Sequence, residues 1–127
     1  MDLHLNSNKK NEIIDITSKI EKIINIKNGI CIIYCPHTTA GITINENYDS
    51  YVKKDIIKKI DKLIPDEHYF QHSEGNSDSH IKSTLIGNSK TIIIKNSKLV
   101  LGTWQGIFFY EFDGPRNRKV IVKFMEG

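Results

Sequence analysis

Two histidines, His72 and His80, stand in the stretch HSEGNSDSH among Glu74, Asp78 and three serines, and a third, His37, follows the apolar run GICIIYC. Imidazoles and carboxylates concentrated on irregular backbone can ligate a cation or exchange protons near neutral pH. Their spacing matches no strong zinc signature, and the same residues also suit a solvated polar loop. A second group, LGTWQG from Leu101 to Gly106, sets the only tryptophan between two glycines. Glycine inside a strand marks a bulge or a close approach. Trp104 can stack on a planar heteroaromatic ring while Gln105 bonds its edge; equally, the indole can fill the core or a subunit interface. The third group, EFDGPRNR from Glu111 to Arg118, carries both arginines of the chain. A guanidinium fork suits phosphate, and Gly114 leaves backbone N–H groups accessible nearby, although arginines on a turn are commonly just solvated. A Gly-rich phosphate loop, a G-x-S-x-G elbow and paired C-x-x-C motifs are all missing, which weighs against nucleotide hydrolysis, serine hydrolysis and a structural zinc.

The elements that position these groups follow from periodicity. Asn11 to Thr17 predicts a strand, after which Thr17 or Ser18 caps a helix bearing Ile20, Ile23 and Ile24. Gly29 to Cys35 is apolar and β-branched, so it predicts a strand buried on both faces. Gly41 to Asn47 alternates Ile42 and Ile44 with Thr43 and Asn45, a half-buried strand. Asp49 caps the next helix, where Val52, Ile56, Ile57, Ile60, Leu63 and Ile64 share one face and Lys53, Lys54, Lys58, Lys59 and Lys62 form a solvated one. Pro65 closes it, Asp66 to Ser79 reads as a long loop, of a length that is usually functional or disordered, and a short helix runs from about Ser79 to Ile86. Three strands follow, Thr91 to Lys95, Leu99 to Phe112 with a break near Gly102, and Lys119 to Phe124, as an antiparallel meander.

Length and composition bound the class. A chain of 127 residues, 39% hydrophobic and 26% charged, fits one globular domain spanning residues 1–127. No apolar run approaches the ~20 residues a bilayer requires, and the start MDLHLNSNKK lacks a signal-peptide core, so a cytoplasmic protein without a membrane partner is expected. The net charge of +3 is spread along the chain, so no nucleic-acid partner is implied. Cys31 and Cys35, four apart on a strand, have Cα atoms ~13 Å apart, too far for a disulfide, and read as buried thiols.

Three blocks, HTTAGITINEN from His37, HSEGNSDSHIKSTLIG from His72 and LGTWQGIFFYEFDGPRNRKVIV from Leu101, together resemble the YjbQ family over roughly Ile13 to Phe124. The resemblance implies a single compact α+β domain, with mixed or antiparallel sheet layers and two to three helices. It also implies assembly as a homotrimer, with the polar motifs meeting in a cleft near subunit boundaries. The implied activity is a secondary thiamine-phosphate synthase activity, joining a pyrimidine pyrophosphate to a thiazole phosphate. The motif maps onto His37, Asn45, Glu46, His72, Glu74, Asn76, His80, Trp104, Gln105 and Arg116. On that reading Arg116 and a divalent cation, Mg²⁺ or Zn²⁺, neutralise the leaving group, while Glu74 or Glu46 stabilises positive charge. Trp104 stacks on the pyrimidine, Asn45, Asn76 and Gln105 contact substrate, and His72 and His80 serve as metal ligands or proton-transfer groups. Two rivals share these residues. One is a metal-dependent hydrolase or lyase using His37, His72 and His80 as ligands. The other is a non-catalytic trimer that binds a small phosphorylated or heteroaromatic metabolite. One departure from the family pattern is Ser79, before His80, where alanine is usual.

Overall fold

A computed structural model describes residues 1–127. Along the chain run β1 (Asp2–Asn6), β2 (Glu12–Asp15), α1 (Thr17–Glu21), β3 (Gly29–Tyr34), β4 (Ala40–Glu46), α2 (Ser50–Leu63) and α3 (Ser77–Ile86), then β5 (Ser89–Lys95), β6 (Lys98–Leu99), β7 (Gln105–Glu111) and β8 (Asn117–Glu126). Five strands form one sheet in the order β1-β8-β3-β5-β6, three form another in the order β2-β7-β4, and every pairing is antiparallel. The result is the expected α+β domain of antiparallel layers with three helices. No helix is long and apolar enough to cross a membrane.

Period-two side chains build the main core. Cys31 and Ile33, Ile92 and Ile94, and Val120 and Val122 point from the larger sheet onto Ile42, Ile107 and Phe109 of the smaller one, with Ile16 and Ile20 filling one end. The opposite face of the smaller sheet presents Ile13, Phe108, Tyr110 and Phe112 to Ile56 and Ile57 of α2 and to Ile86 at the end of α3. Each fully buried Ile or Phe contributes about 1.5–3 kcal/mol. The layers are therefore sheet, sheet, helices, and the strand buried on both faces is β7, in the middle layer. For β3 that expectation fails: Cys31 and Ile33 are buried, Ile30 and Ile32 are half-buried and Tyr34 is exposed, because nothing covers the outer face of the five-stranded sheet. Ile93, Val100 and Met125 are also exposed, and Ile93 and Met125 flank Ile30 on that outer face.

The C-terminal strands are not a meander. β7 sits between β2 and β4, and β8 crosses to the other sheet between β1 and β3. Sequence adjacency predicted pairing, but the two strands bury opposite neighbours. Strand β1, absent from the sequence reading, supplies the edge beside β8 through Leu3 and Leu5. Helix α1 is shorter than expected and ends before Ile23; Thr17 does not cap it but donates its hydroxyl to Asp15 at 2.6 Å and accepts Ile107 N–H at 2.8 Å. Asp49 does cap α2, accepting from Tyr51 N–H at 2.9 Å. Leu63, placed on the apolar face of α2, is exposed, while Lys53, placed on the solvated face, is half-buried with its ammonium over the Phe108 ring. Cys31 and Cys35 are buried and unbridged, and burial pushes the Cys31 thiol up to about 11.

Candidate functional site

Helix α3 positions the histidine loop by an unusual means: its buried face is polar. Ser79 and Ser83, one turn apart, donate to the carbonyls of Phe112 and Ala40, each at 2.7 Å, riveting the helix across the ends of β7 and β4. Ser79, the departure from the family pattern, is thus a fully buried anchor next to His80. Buried Lys82 reaches Asp61 at 2.8 Å and Asn11 at 3.3 Å, and buried Asp78 accepts from Lys10 at 2.9 Å. No amphipathic period marks these contacts, so only tertiary structure reveals them.

A cavity of about 390 Å³ opens beside this helix, and apart from Pro36 every residue that lines it has a polar or charged side chain. The Pro36–Thr39 turn after β3 contributes His37. The loop before α3 contributes His72, Glu74 and Asn76, α3 contributes His80, and the β7–β8 turn contributes Asp113, Arg116 and Arg118. The His72 and His80 rings meet edge to face, 5.1 Å between centroids. His37 and His80 also wall an adjoining polar cavity of about 480 Å³. A larger cavity of about 540 Å³, at the rim of the five-stranded sheet, holds no imidazole, thiol or arginine and carries no chemistry.

Charge is fixed in layers under the cavity. Asp113 accepts from Asn76 Nδ2 at 2.7 Å and from Arg116 Nη2 at 2.8 Å, and Arg116 Nε donates to the Asp113 carbonyl at 2.9 Å. Burial alone would raise the Asp113 carboxyl, but these hydrogen bonds hold it below the usual carboxylate range. Deeper lies Glu111, fully buried, which accepts from Ser7 Oγ at 2.7 Å, from Arg118 Nε at 2.8 Å and Nη2, and from the Phe112 and Asp113 N–H groups at 3.1 Å. Desolvation opposes its ionisation, and the Arg118 and Ser7 hydrogen bonds overcome it, so it too stays below the usual range. His37 is the opposite case: burial, reinforced by the charge of Arg118, pushes its imidazole below its ordinary value. Its Nε2 lies 3.1 Å from both the N–H and the carbonyl of Lys119, which leaves Nδ1 as the nitrogen free for the cavity.

The ten residues singled out in the sequence divide. His37, His72, Glu74, Asn76, His80 and Arg116 line one cavity. Asn45, Glu46, Trp104 and Gln105 lie at the other end of the three-stranded sheet: Ala40 pairs with Glu111 near the cavity, whereas Glu46 pairs with Gln105, about 20 Å away at ~3.3 Å per residue. There Trp104 stacks flat on Tyr48, with centroids 5.1 Å apart, and both rings are exposed. Gln105 accepts from Gly102 N–H at 2.8 Å, and an added Cβ at Gly106 would meet Asn47 Nδ2 at 2.6 Å, the close approach this glycine signals. No three His, Cys, Asp or Glu side chains are arranged to hold a metal ion, so a His37, His72, His80 centre is not preformed. The EFDGPRNR stretch offers both arginines to phosphate, but the ten residues of the motif omit Arg118 and its partner Glu111. A signal existed: Arg118, Val120 and Val122 recur at period two, which puts the guanidinium on the inward face.

Fold and site define a layered antiparallel α+β domain with a predominantly polar cavity beside α3 and the β7–β8 turn. The chain belongs to the family described as UPF0047 protein YjbQ-like, which matches residues 1–127. It is 59% identical over 122 residues to UPF0047 protein MJ1081 of Methanocaldococcus jannaschii, covering 94% of this chain and 88% of that protein. It is 50% identical to UPF0047 protein YugU of Bacillus subtilis, covering 97% and 96%. The crystal structure of a YjbQ/UPF0047-family protein from Clostridium acetobutylicum superposes with a TM-score of 0.95 at 49% identity, covering 98% of this chain and 99% of that one.

Proposed function

We propose that this chain acts as a transferase on phosphorylated heteroaromatic metabolites, with thiamine-phosphate synthase activity, and works as a homotrimer. The observation that carries the reading is one predominantly polar cavity in which His72 and His80, 5.1 Å apart, meet Glu74, Asn76 and Arg116. In the reaction the C–O bond between the pyrimidine methylene and its pyrophosphate breaks and pyrophosphate leaves with the electron pair. The thiazole nitrogen then forms the new C–N bond. Arg116 faces the departing negative charge, Glu74 the developing positive charge, and the histidines hand a proton to the leaving group. Glu74 takes this part rather than Glu46, which lies at the far end of the sheet.

The imidazoles and guanidiniums of the cavity offer planar faces to an aromatic ring. The exposed Trp104–Tyr48 stack, about a sheet's length away in the same chain, adds an apolar platform if another copy brings it to the cavity. A cyclic trimer joins two different surfaces of one chain, and the uncovered apolar face around Ile93 and Met125 supplies further area for such contacts. A divalent cation enters this reading with the pyrophosphate, as Mg²⁺, and no step is routed through a histidine-bound metal.

The test is thiamine-phosphate formation from the two phosphorylated precursors, with and without Mg²⁺, in wild type and His80→Ala. The His80 ring makes no hydrogen bond within the chain, so the variant should keep its fold and lose turnover. A folded, fully active His80→Ala removes the loop histidines from the chemistry. Binding without turnover in wild type replaces the transferase with a metabolite-binding protein.

A further inference from the structure

Two arginines face the cavity, and both are held in the same way. Arg116 spends Nε and Nη2 on Asp113, and Arg118 spends Nε and Nη2 on Glu111, with Nη2 also reaching Thr39 Oγ1 at 2.8 Å. In each case Nη1 is left without a partner in the chain, and neither Nη1 is among the buried atoms sealed off from solvent. The side chain of Arg118 is nevertheless 95% buried, being 5% exposed. An ion pair serving only the core would use all its donors inside it, because an unpaired buried donor costs stability. Asn76 donates its Nδ2 to the same Asp113 carboxylate, which fixes the partner of Arg116 from a second side.

We propose that Arg118 is the fixed floor of an anion site in this cavity, where its Nη1 and that of Arg116 grip a phosphate group, a phosphate monoester or a pyrophosphate. The proposal takes the cavity as the functional site, as above, but does not depend on which reaction occurs there. Net charge does not select the anion, since Glu74 and Asp113 offset the guanidiniums. Selection comes from donors whose direction is set before the ligand arrives, Arg118 by a carboxylate that itself accepts five hydrogen bonds. Lysine cannot reproduce this geometry, because its ammonium is a point charge on a flexible stem.

Because the chain has only two arginines, its Nε–H resonances form a two-signal spectrum that reads the site directly. In ¹⁵N-labelled wild type, inorganic pyrophosphate should shift both signals saturably and inorganic phosphate should do so more weakly. In Arg118→Lys the pyrophosphate affinity, followed at Arg116, should fall at least ten-fold. An Arg118 signal that neither anion moves overturns the proposal, as does a folded Arg118→Lys that binds pyrophosphate as wild type does. If that variant fails to fold, the wild-type Arg118 signal decides alone. Shifted arginines without thiamine-phosphate formation remove the reaction and keep the anion site; turnover with an unmoved Arg118 does the reverse.

Discussion

The two ends of strand β7 solve opposite problems. At one end Glu111 is fully buried, and its carboxylate is satisfied entirely within the chain by Arg118, Ser7 and two backbone N–H groups. At the other, Trp104 and Tyr48 are 56% and 69% exposed and rest mainly on each other. A buried charge persists only when completely partnered, so the first end is held in one arrangement by the chain itself. The exposed aromatic pair is the part of the strand that the proposed trimer would cover. One end is organised by the fold, and the other is left open to solvent.

The largest effect that tests this contrast is at the buried pair. Arg118→Met strands the Glu111 carboxylate and should cost about 3–5 kcal/mol in urea unfolding. Adding Glu111→Met should restore much of that stability, because an apolar pair can replace a buried ionic one. A single-variant loss below about 1 kcal/mol would mean that the floor of the cavity is wetter than the structure shows.

Next comes pH. Burial and Arg118 depress His37 below its ordinary 6.5, so below that value the unfolded chain takes up the proton first and stability begins to fall. Glu111 is held below its ordinary 4.5, so its contribution is present above 4.5 and is lost as pH falls through its lower folded value. Urea midpoints should therefore decline in two stages, and His37→Gln should remove the earlier one. An unchanged first stage in that variant assigns it to another group.

The smallest effect on stability belongs to the aromatic end. Trp104→Ala should change the unfolding free energy by less than about 1 kcal/mol in the isolated chain, as for other exposed positions. On the proposed trimer it should, however, shift sedimentation toward monomer. Trimers that persist unchanged would place the stack outside the contact between copies.

How far each feature was legible depended on whether its signal was local. Helix α2 could be read because Asp49 caps it and Ile56, Ile57 and Ile60 repeat at helical spacing. Helix α3 was started two residues late, because Ser79, Lys82 and Ser83 bury polar groups against carbonyls and carboxylates and leave no apolar stripe. Leu63 and Lys53 exchanged their expected environments, since helical spacing fixes a face but not where its neighbours end. Six of the ten candidate residues share the cavity, and these lie on three short segments just outside the strands or one turn into α3.

By itself the sequence determined most of the strands and helices, that the thiols are buried, and that His37, His72 and Arg116 sit outside them on irregular backbone. These follow from side-chain period, caps and turn residues, all set within a few positions. Only the tertiary structure decided that β7 and β8 part into different sheets, and that His37 is anchored on Lys119. It also decided that Trp104 stands a sheet's length from His80 and that the inward-facing Arg118 meets Glu111. Those outcomes depend on which surfaces become buried against one another, a free-energy balance among segments far apart in the chain.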